Sequence, residues 1–372
     1  MPHDSAAVTD GAAEAAASRL RWKSVSDEDV LPGFEDRVVH PEFDGMEFVH
    51  VRARSVLNRV PDGGRLPFSW TINVYRGCSH ACTYCFARPS HEWLELNADE
   101  DFDRVIVVKV NAVERVRAEL RSAKWRGEHV AMGTNTDPYQ RCEGRYRLTR
   151  GVVATLAEAG NPFSILTKSS LVARDLDILT EAAHRGTCRS VSLSIGTLDD
   201  DVWRLTEPMA PLPRARLETV ARLREAGISS GVMIAPIIPG LSDDPAGLRH
   251  VIAGALEAGA TSITPIVLHL RPGVREVFLK RLAAQRPDLV ERFARTYATS
   301  TAPVEDRRRI AASVRDIAAY LGAPPSVLSA SPAADSTEAE HPRRRARRKI
   351  SRTDNSTSGL VADDEQAQLA LW

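Results

Sequence analysis

The chain has 372 residues, 43% hydrophobic and 26% charged, enough to bury one large core or two ordinary ones. Lysine plus arginine and aspartate plus glutamate both number 49, so net charge points to no partner. No apolar run approaches the length that spans a bilayer, which excludes a helical membrane protein.

Residues 1–20, alanine-rich with scattered acids, are expected to be disordered. They lack the basic start and unbroken apolar stretch of a secretion signal. The expected compartment is therefore a reducing cytoplasm. There, an odd count of five cysteines argues for metal or redox chemistry rather than a disulfide framework. Residues 21–68 read as an irregular leader with one strand in "MEFVHVRA" and a loop at "VPDGG".

From residue 69, β-branched runs of strand length alternate with segments of helical period. The strands are expected at 70–75, 104–110, 129–134, 162–168, 190–195, 231–237 and 262–268. Helical stretches lie between them: "NAVERVRAELRS" opens on Asn111 as a cap, and "TRGVVATLAEAG" stops at Gly160. Two more helices are expected over 273–298 and 304–321. Alternation of this kind calls for an α/β fold, a parallel sheet with helical cover. A doubly wound sheet and a (β/α) barrel both fit. The glycine fingerprint of a dinucleotide fold is missing after the first strand, and chemistry at the strand ends favours a partial, TIM-like (β/α) barrel of about six β/α units. Its expected extent is 69–325, C-terminal helices included. Residues 326–372 are polar and of low complexity, and a disordered tail is expected there.

After the first of these strands comes "RGCSHACTYCFARPSHEW", with Cys78, Cys82 and Cys85 spaced C-x3-C-x2-C. Full protein ligation of a 4Fe-4S cluster takes four cysteines, so three leave one iron open to bind a substrate or cofactor directly. The alternative is a Cys3His zinc site completed by His80 or His91. In that case the protein would be a non-catalytic nucleic-acid adaptor.

The three cysteines, with Tyr84 before the last, resemble the signature of the radical S-adenosylmethionine (SAM) superfamily. "LNRV…FSWTINVYRGCSHACTYCFAR", "GTNTDPYQ", "LTKSSLVARDLDIL", "VSLSIGTLD" and "IAPIIPGLSDD" are similar to the subgroup around spore photoproduct lyase, the DNA-repair-photolyase-like proteins. The resemblance implies a 4Fe-4S cluster on the three cysteines and SAM chelated to its open iron. It also implies reductive cleavage to a 5′-deoxyadenosyl radical and an electron donor such as flavodoxin or ferredoxin. The cofactor then carries the chemistry while the protein positions it. A nucleic-acid substrate is expected, for DNA repair or modification, with radical modification of a protein or RNA as the alternative.

The same resemblance assigns roles residue by residue. Thr134, Asn135 and Asp137 stand where the superfamily holds the SAM amino group, although Asn, Asp and Pro138 are also ordinary turn residues. Lys168, Ser169 and Ser194, at strand ends, would meet the SAM carboxylate or ribose, with a helix cap as the other reading of Ser169. In "IPGLSD", Ile238 would pack beside adenine, but Pro236 stands where glycine is usual and Asp243 replaces glutamate. Spore photoproduct lyase needs a cysteine near its substrate, and nothing at Met132–Thr134 supplies one. Cys142 and Cys188 are the remaining thiols, and Tyr139 is a candidate for radical relay.

In the tail, "PRRRARRKISR" places a basic run at Arg343 to Arg352, suited to salt-dependent phosphate contact. The final "QLALW", Gln368 to Trp372, resembles the short peptides by which bacterial DNA-processing proteins dock on the sliding clamp.

Overall fold

The structure, a computed structural model, describes residues 33–60 and 68–329. The expected disordered N-terminus, the basic run and the terminal peptide lie outside those residues. Eleven strands are described, in two sheets.

The larger sheet has seven strands in the order β3 (Leu57–Arg59), β4 (Trp70–Ile72), β7 (Val130–Met132), β8 (Phe163–Thr167), β9 (Cys188–Ser194), β10 (Val232–Ile237) and β11 (Ile263–Val267). From β4 to β11 every neighbouring pair is parallel, and only β3, at the edge, is antiparallel. Six parallel strands in chain order match the expected number of β/α units. The sheet stays open among the described residues: the far side of β11 carries a bridge from Ile263 to Leu328 rather than a pairing with β4.

The connecting helices form where sequence patterning and capping agree. Asp199 accepts from the amides of Asp201 and Val202, both at 2.9 Å, to start Asp200–Thr206. Pro213 and Pro245 open Pro213–Glu225 and Pro245–Glu257, where the missing N–H costs nothing. The helical region expected over 273–298 is broken at Arg286, before Pro287, into Val274–Gln285 and Pro287–Thr296. The main apolar cluster lies around the parallel strands. A second one gathers Ile238, Leu268, Phe278, Phe293 and Tyr297 beneath the C-terminal helices.

Three details depart from the sequence reading. The run "WTINVY" is two strands, because the chain leaves the large sheet at Asn73. Its continuation, β5 (Tyr75–Arg76), joins a second sheet ordered β1 (Phe34–Val38), β2 (Glu47–Val51), β6 (Val105–Lys109), β5. The strand expected at 104–110 is β6, so it belongs to this second sheet and not to the parallel array. It runs parallel to β2 through five paired residues. Every residue of β6 is buried, as in a central parallel strand, which is why its sequence did not separate the two sheets. Asn111, expected as a cap, makes no capping bond. Its side chain instead holds the leader, accepting from the Ala53 amide at 2.8 Å and donating to the Ala53 carbonyl at 3.0 Å.

Candidate active site

The loop after β5 carries the three cysteines to the C-terminal end of the parallel sheet. A cavity of about 300 Å³ opens there. Cys78, Cys82 and Cys85 line one side, with His80, Tyr84 and Phe86 of the same loop. The ends of five parallel strands supply the rest: Gly133–Asp137 after β7, Leu166–Lys168 at β8, Ser194 at β9, Met233 and Pro236 at β10, and Ile266–His269 at β11. Its volume is at the lower end of the range that holds a small ligand.

The loop is wound tightly. Ala81 sits at φ +55°, in the left-handed region, and donates from its amide to the Cys78 carbonyl at 3.3 Å. Gly77, at φ +84°, has no room for a side chain, since a Cβ would come within 2.9 Å of the Val105 carbonyl. Gly133 is tighter still: at φ +89°, its Cβ would lie 1.8 Å from the Leu166 carbonyl oxygen. Two buried side chains clasp the loop from across the sheet. Gln140 accepts from the Ser79 amide at 2.9 Å and donates to the Gly77 carbonyl at 3.1 Å, while Thr136 donates to the same carbonyl at 2.6 Å. Arginines hold the far side, Arg88 donating to the Cys82 carbonyl at 3.0 Å and Arg281 to that of Ala81 at 3.3 Å.

Burial, the Asp137 charge and the other two cysteines push the Cys78 thiol well above its ordinary range. Burial and then Glu207 push Cys82 up to about 12, and burial raises Cys85. Three thiols crowded in a dry wall become thiolates only against a compensating positive centre, which suits an iron–sulfur cluster. Among the described residues no three His, Cys, Asp or Glu side chains converge on one ion. The two histidines read as zinc ligands are otherwise engaged. His80 Nδ1 faces Asp137 at 3.4 Å, and His91 donates to the Val105 carbonyl at 2.9 Å and lies outside the cavity lining.

Of the residues assigned from the sequence, Tyr84, Thr134, Asn135, Asp137, Lys168 and Ser194 line the cavity with the cysteines. Their chemistry differs. Thr134 and Asn135 present side chains without hydrogen bonds among the described residues, open to a ligand. Asp137 is fully engaged, accepting from Thr167 Oγ at 2.6 Å and from the Lys168 amide at 2.7 Å. Burial works against its charge, but His80 and these bonds outweigh it and hold the carboxyl below its usual range. Lys168 spends its three protons on Ser194 Oγ (2.7 Å), Glu207 (2.9 Å) and the Ala235 carbonyl (3.2 Å), and Ser194 itself donates to Ala235 at 2.8 Å. Both are structural supports of the wall in this arrangement.

Five residues singled out from the sequence are not among those lining the cavity. Ser169 caps the short turn Ser170–Asp175, accepting from the Leu171 amide at 3.2 Å. Ile238 packs in the second apolar cluster. Tyr139 is buried with its hydroxyl on Asp175 at 3.1 Å, and Cys142 is fully buried in the main core. Cys188 begins β9, at the opposite end of that strand from Ser194.

Sequence reasoning missed Glu207, Arg216, Thr136 and Gln140. Gln140 and Thr136 lie in "GTNTDPYQ", so a signal was present. Nothing around Glu207 in "RLTEPM" foretells that it is buried.

This is the architecture of a radical SAM enzyme: cysteines in C-x3-C-x2-C after the first strand of a parallel α/β sheet, facing the strand ends. The chain belongs to the radical SAM superfamily, whose family model matches residues 72–249. A protein of Mycobacterium tuberculosis described as uncharacterised is 46% identical over 276 residues, 73% of this chain and 81% of its own. A "Radical SAM Nalpha-GlyT isomerase" of Pseudomonas phage M6 is 25% identical over 209 residues, 53% of this chain and 41% of the phage protein. Among solved structures, a spore photoproduct lyase mutant with bound AdoMet and dinucleoside spore photoproduct shares the fold. Its TM-score is 0.56 at 18% identity, over 76% of this chain and 81% of that one. Among the described residues no helix is long and apolar enough to cross a membrane.

Proposed function

We propose that Cys78, Cys82 and Cys85 hold a 4Fe-4S cluster, that SAM binds in the cavity beside it, and that the enzyme modifies or repairs a nucleic acid in the cytoplasm. The observation that carries this reading is a cavity lined at once by three thiols, those of Cys78 and Cys82 buried and that of Cys85 partly so, and by five strand ends. When bound, such a cluster supplies the one electron that splits SAM reductively. The chain's own residues do the positioning. Thr134 and Asn135 offer free polar groups to the cofactor, and the apolar walls at Met233, Pro236 and Ile266–Leu268 exclude water.

A nucleic-acid substrate is favoured by the shared fold of spore photoproduct lyase, seen with a dinucleoside spore photoproduct, and by the basic run at Arg343 to Arg352. Among the described residues the cavity's only thiols are the three cluster cysteines, so the reading is of a modification rather than a thiol-quenched photoproduct reversal. Docking on the sliding clamp through Gln368 to Trp372 belongs to the same proposal. Deleting residues 368–372 should abolish clamp capture in a pull-down.

The deciding experiment is anaerobic purification with iron, sulfide and zinc analysis, wild type against Cys82→Ala. About four irons and four sulfides per chain, lost in the variant, are expected. With SAM and a reductant the loaded protein should release 5′-deoxyadenosine, and oligonucleotides are the first substrates to offer. One zinc and no iron would leave the non-catalytic adaptor instead.

A further inference from the structure

Glu207 follows the helix Asp200–Thr206 and is 4% exposed. Three groups from three elements converge on its carboxylate. The Tyr84 hydroxyl donates from the cysteine loop, one residue before Cys85. The Lys168 ammonium reaches it from the end of β8 at 2.9 Å, and the Arg216 guanidinium from the helix Pro213–Glu225 at 2.5 Å. Arg216 also donates to the Ser194 carbonyl at 2.9 Å, so the end of β9 is fixed by the same group. Backbone bonds run alongside, from the Thr83 amide to the Thr206 carbonyl at 2.9 Å and from Met209 to His80 at 3.3 Å.

Stability alone is a weak reason for such a cluster, because the desolvation of buried ions cancels most of their attraction. What it fixes is charge and place: one carboxylate, one ammonium and one guanidinium leave a single surplus positive charge in the wall behind the thiols. Burial raises the Glu207 carboxyl, but Arg216 and Lys168 outweigh it and bring it down to about 2, so the carboxylate stays charged at neutral pH.

We propose that Glu207 is a positioning residue for the cysteine loop and Lys168, and that this buried charge set fixes how readily the centre held by Cys78, Cys82 and Cys85 accepts an electron. The inference rests on the cluster reading above. Reduction adds one electron and no proton, so the reduced centre is one charge more negative. Glu207 opposes that step, and Lys168 and Arg216 favour it.

The test is potentiometry of the iron-loaded protein without SAM, an electrode supplying the electron through a mediator and the reduced cluster read by electron paramagnetic resonance. Glu207→Gln should shift the midpoint potential to more positive values, and Lys168→Met to more negative ones. Opposite signs identify charge as the cause. Unchanged potentials, or shifts of the same sign, overturn the inference while leaving the cluster in place. Should Glu207→Gln fail to fold, Lys168→Met decides alone: a negative shift supports the assignment and no shift removes it. A wild type without iron overturns the cluster reading and this inference with it.

Discussion

Lys109, the last residue of β6, is 3% exposed, and its ammonium is out of place there. Burial pushes its pKa down to about 7, Arg76 adds to the effect and Glu119 opposes it. In the unfolded chain an ordinary lysine titrates near 10.4. Between about pH 7 and 10.4 the unfolded state therefore holds a proton that the native state lacks, and native stability rises with pH across that window. Below about 7 both states are protonated and the penalty is complete. Each tenfold loss of proton affinity on folding costs about 1.4 kcal/mol, so Lys109→Met should be more stable than wild type by a few kcal/mol at pH 6. Urea midpoints measured from pH 6 to 10 should show the gap closing, and a constant gap would mean that the native lysine keeps its proton. At this scale the sequence was legible where chemistry is local. Three cysteines in eight residues announce themselves, whereas Glu207 acquires its meaning only when Tyr84, Lys168 and Arg216 fold onto it from both sides along the chain.

The element that governs the site is the segment after β7, whose Thr136 and Gln140 reach across to the cysteine loop. Gln140→Ala would strand the buried Ser79 amide, at a cost of about 1–3 kcal/mol. The expected outcome is a lower melting temperature together with faster loss of iron on gel filtration. Gln140→Glu keeps the acceptor for Ser79 but loses the donor to the Gly77 carbonyl, so iron kept by this variant and lost by Gln140→Ala would identify the Ser79 bond as the cause, and iron lost by both would put the weight on the Gly77 bond. Parallel strands and their helices were readable from periodicity and stop signals. The partner of β6 was not, because a fully buried apolar run fits the middle of either sheet. The split at Asn73 was hidden for a similar reason: "WTINVY" carries strand propensity throughout, and the break comes from tertiary contacts, including the Asn73 side chain accepting from the Asn135 amide at 3.2 Å.

Across the whole molecule, the two sheets are joined by the stretch from β4 to β5 and by shared core. Phe48, Val56 and Leu57, from the region ahead of the cysteines, pack in the same apolar cluster as Ile72, Val130 and Ile165. A chain starting at residue 68 would lose β1, β2 and β3 and uncover that cluster along with the edge of β4. It should show no cooperative thermal transition by circular dichroism, and a sharp transition near that of the full chain would mean that the parallel sheet is self-sufficient. The order of the elements in this region was harder to read than the repeat that follows, since its strands are short and β2 finds its parallel partner only at β6, far along the chain.

The clasp around the cysteines has a bearing on how the enzyme is put together in time. In small zinc modules the metal is what folds the peptide. Here the loop is moored by Gln140, Thr136, Arg88 and Arg281, none of which is a thiol. The polypeptide can finish folding first and await delivery of its inorganic part. Were the proposed cluster lost, the same bonds would keep the loop in shape for its return.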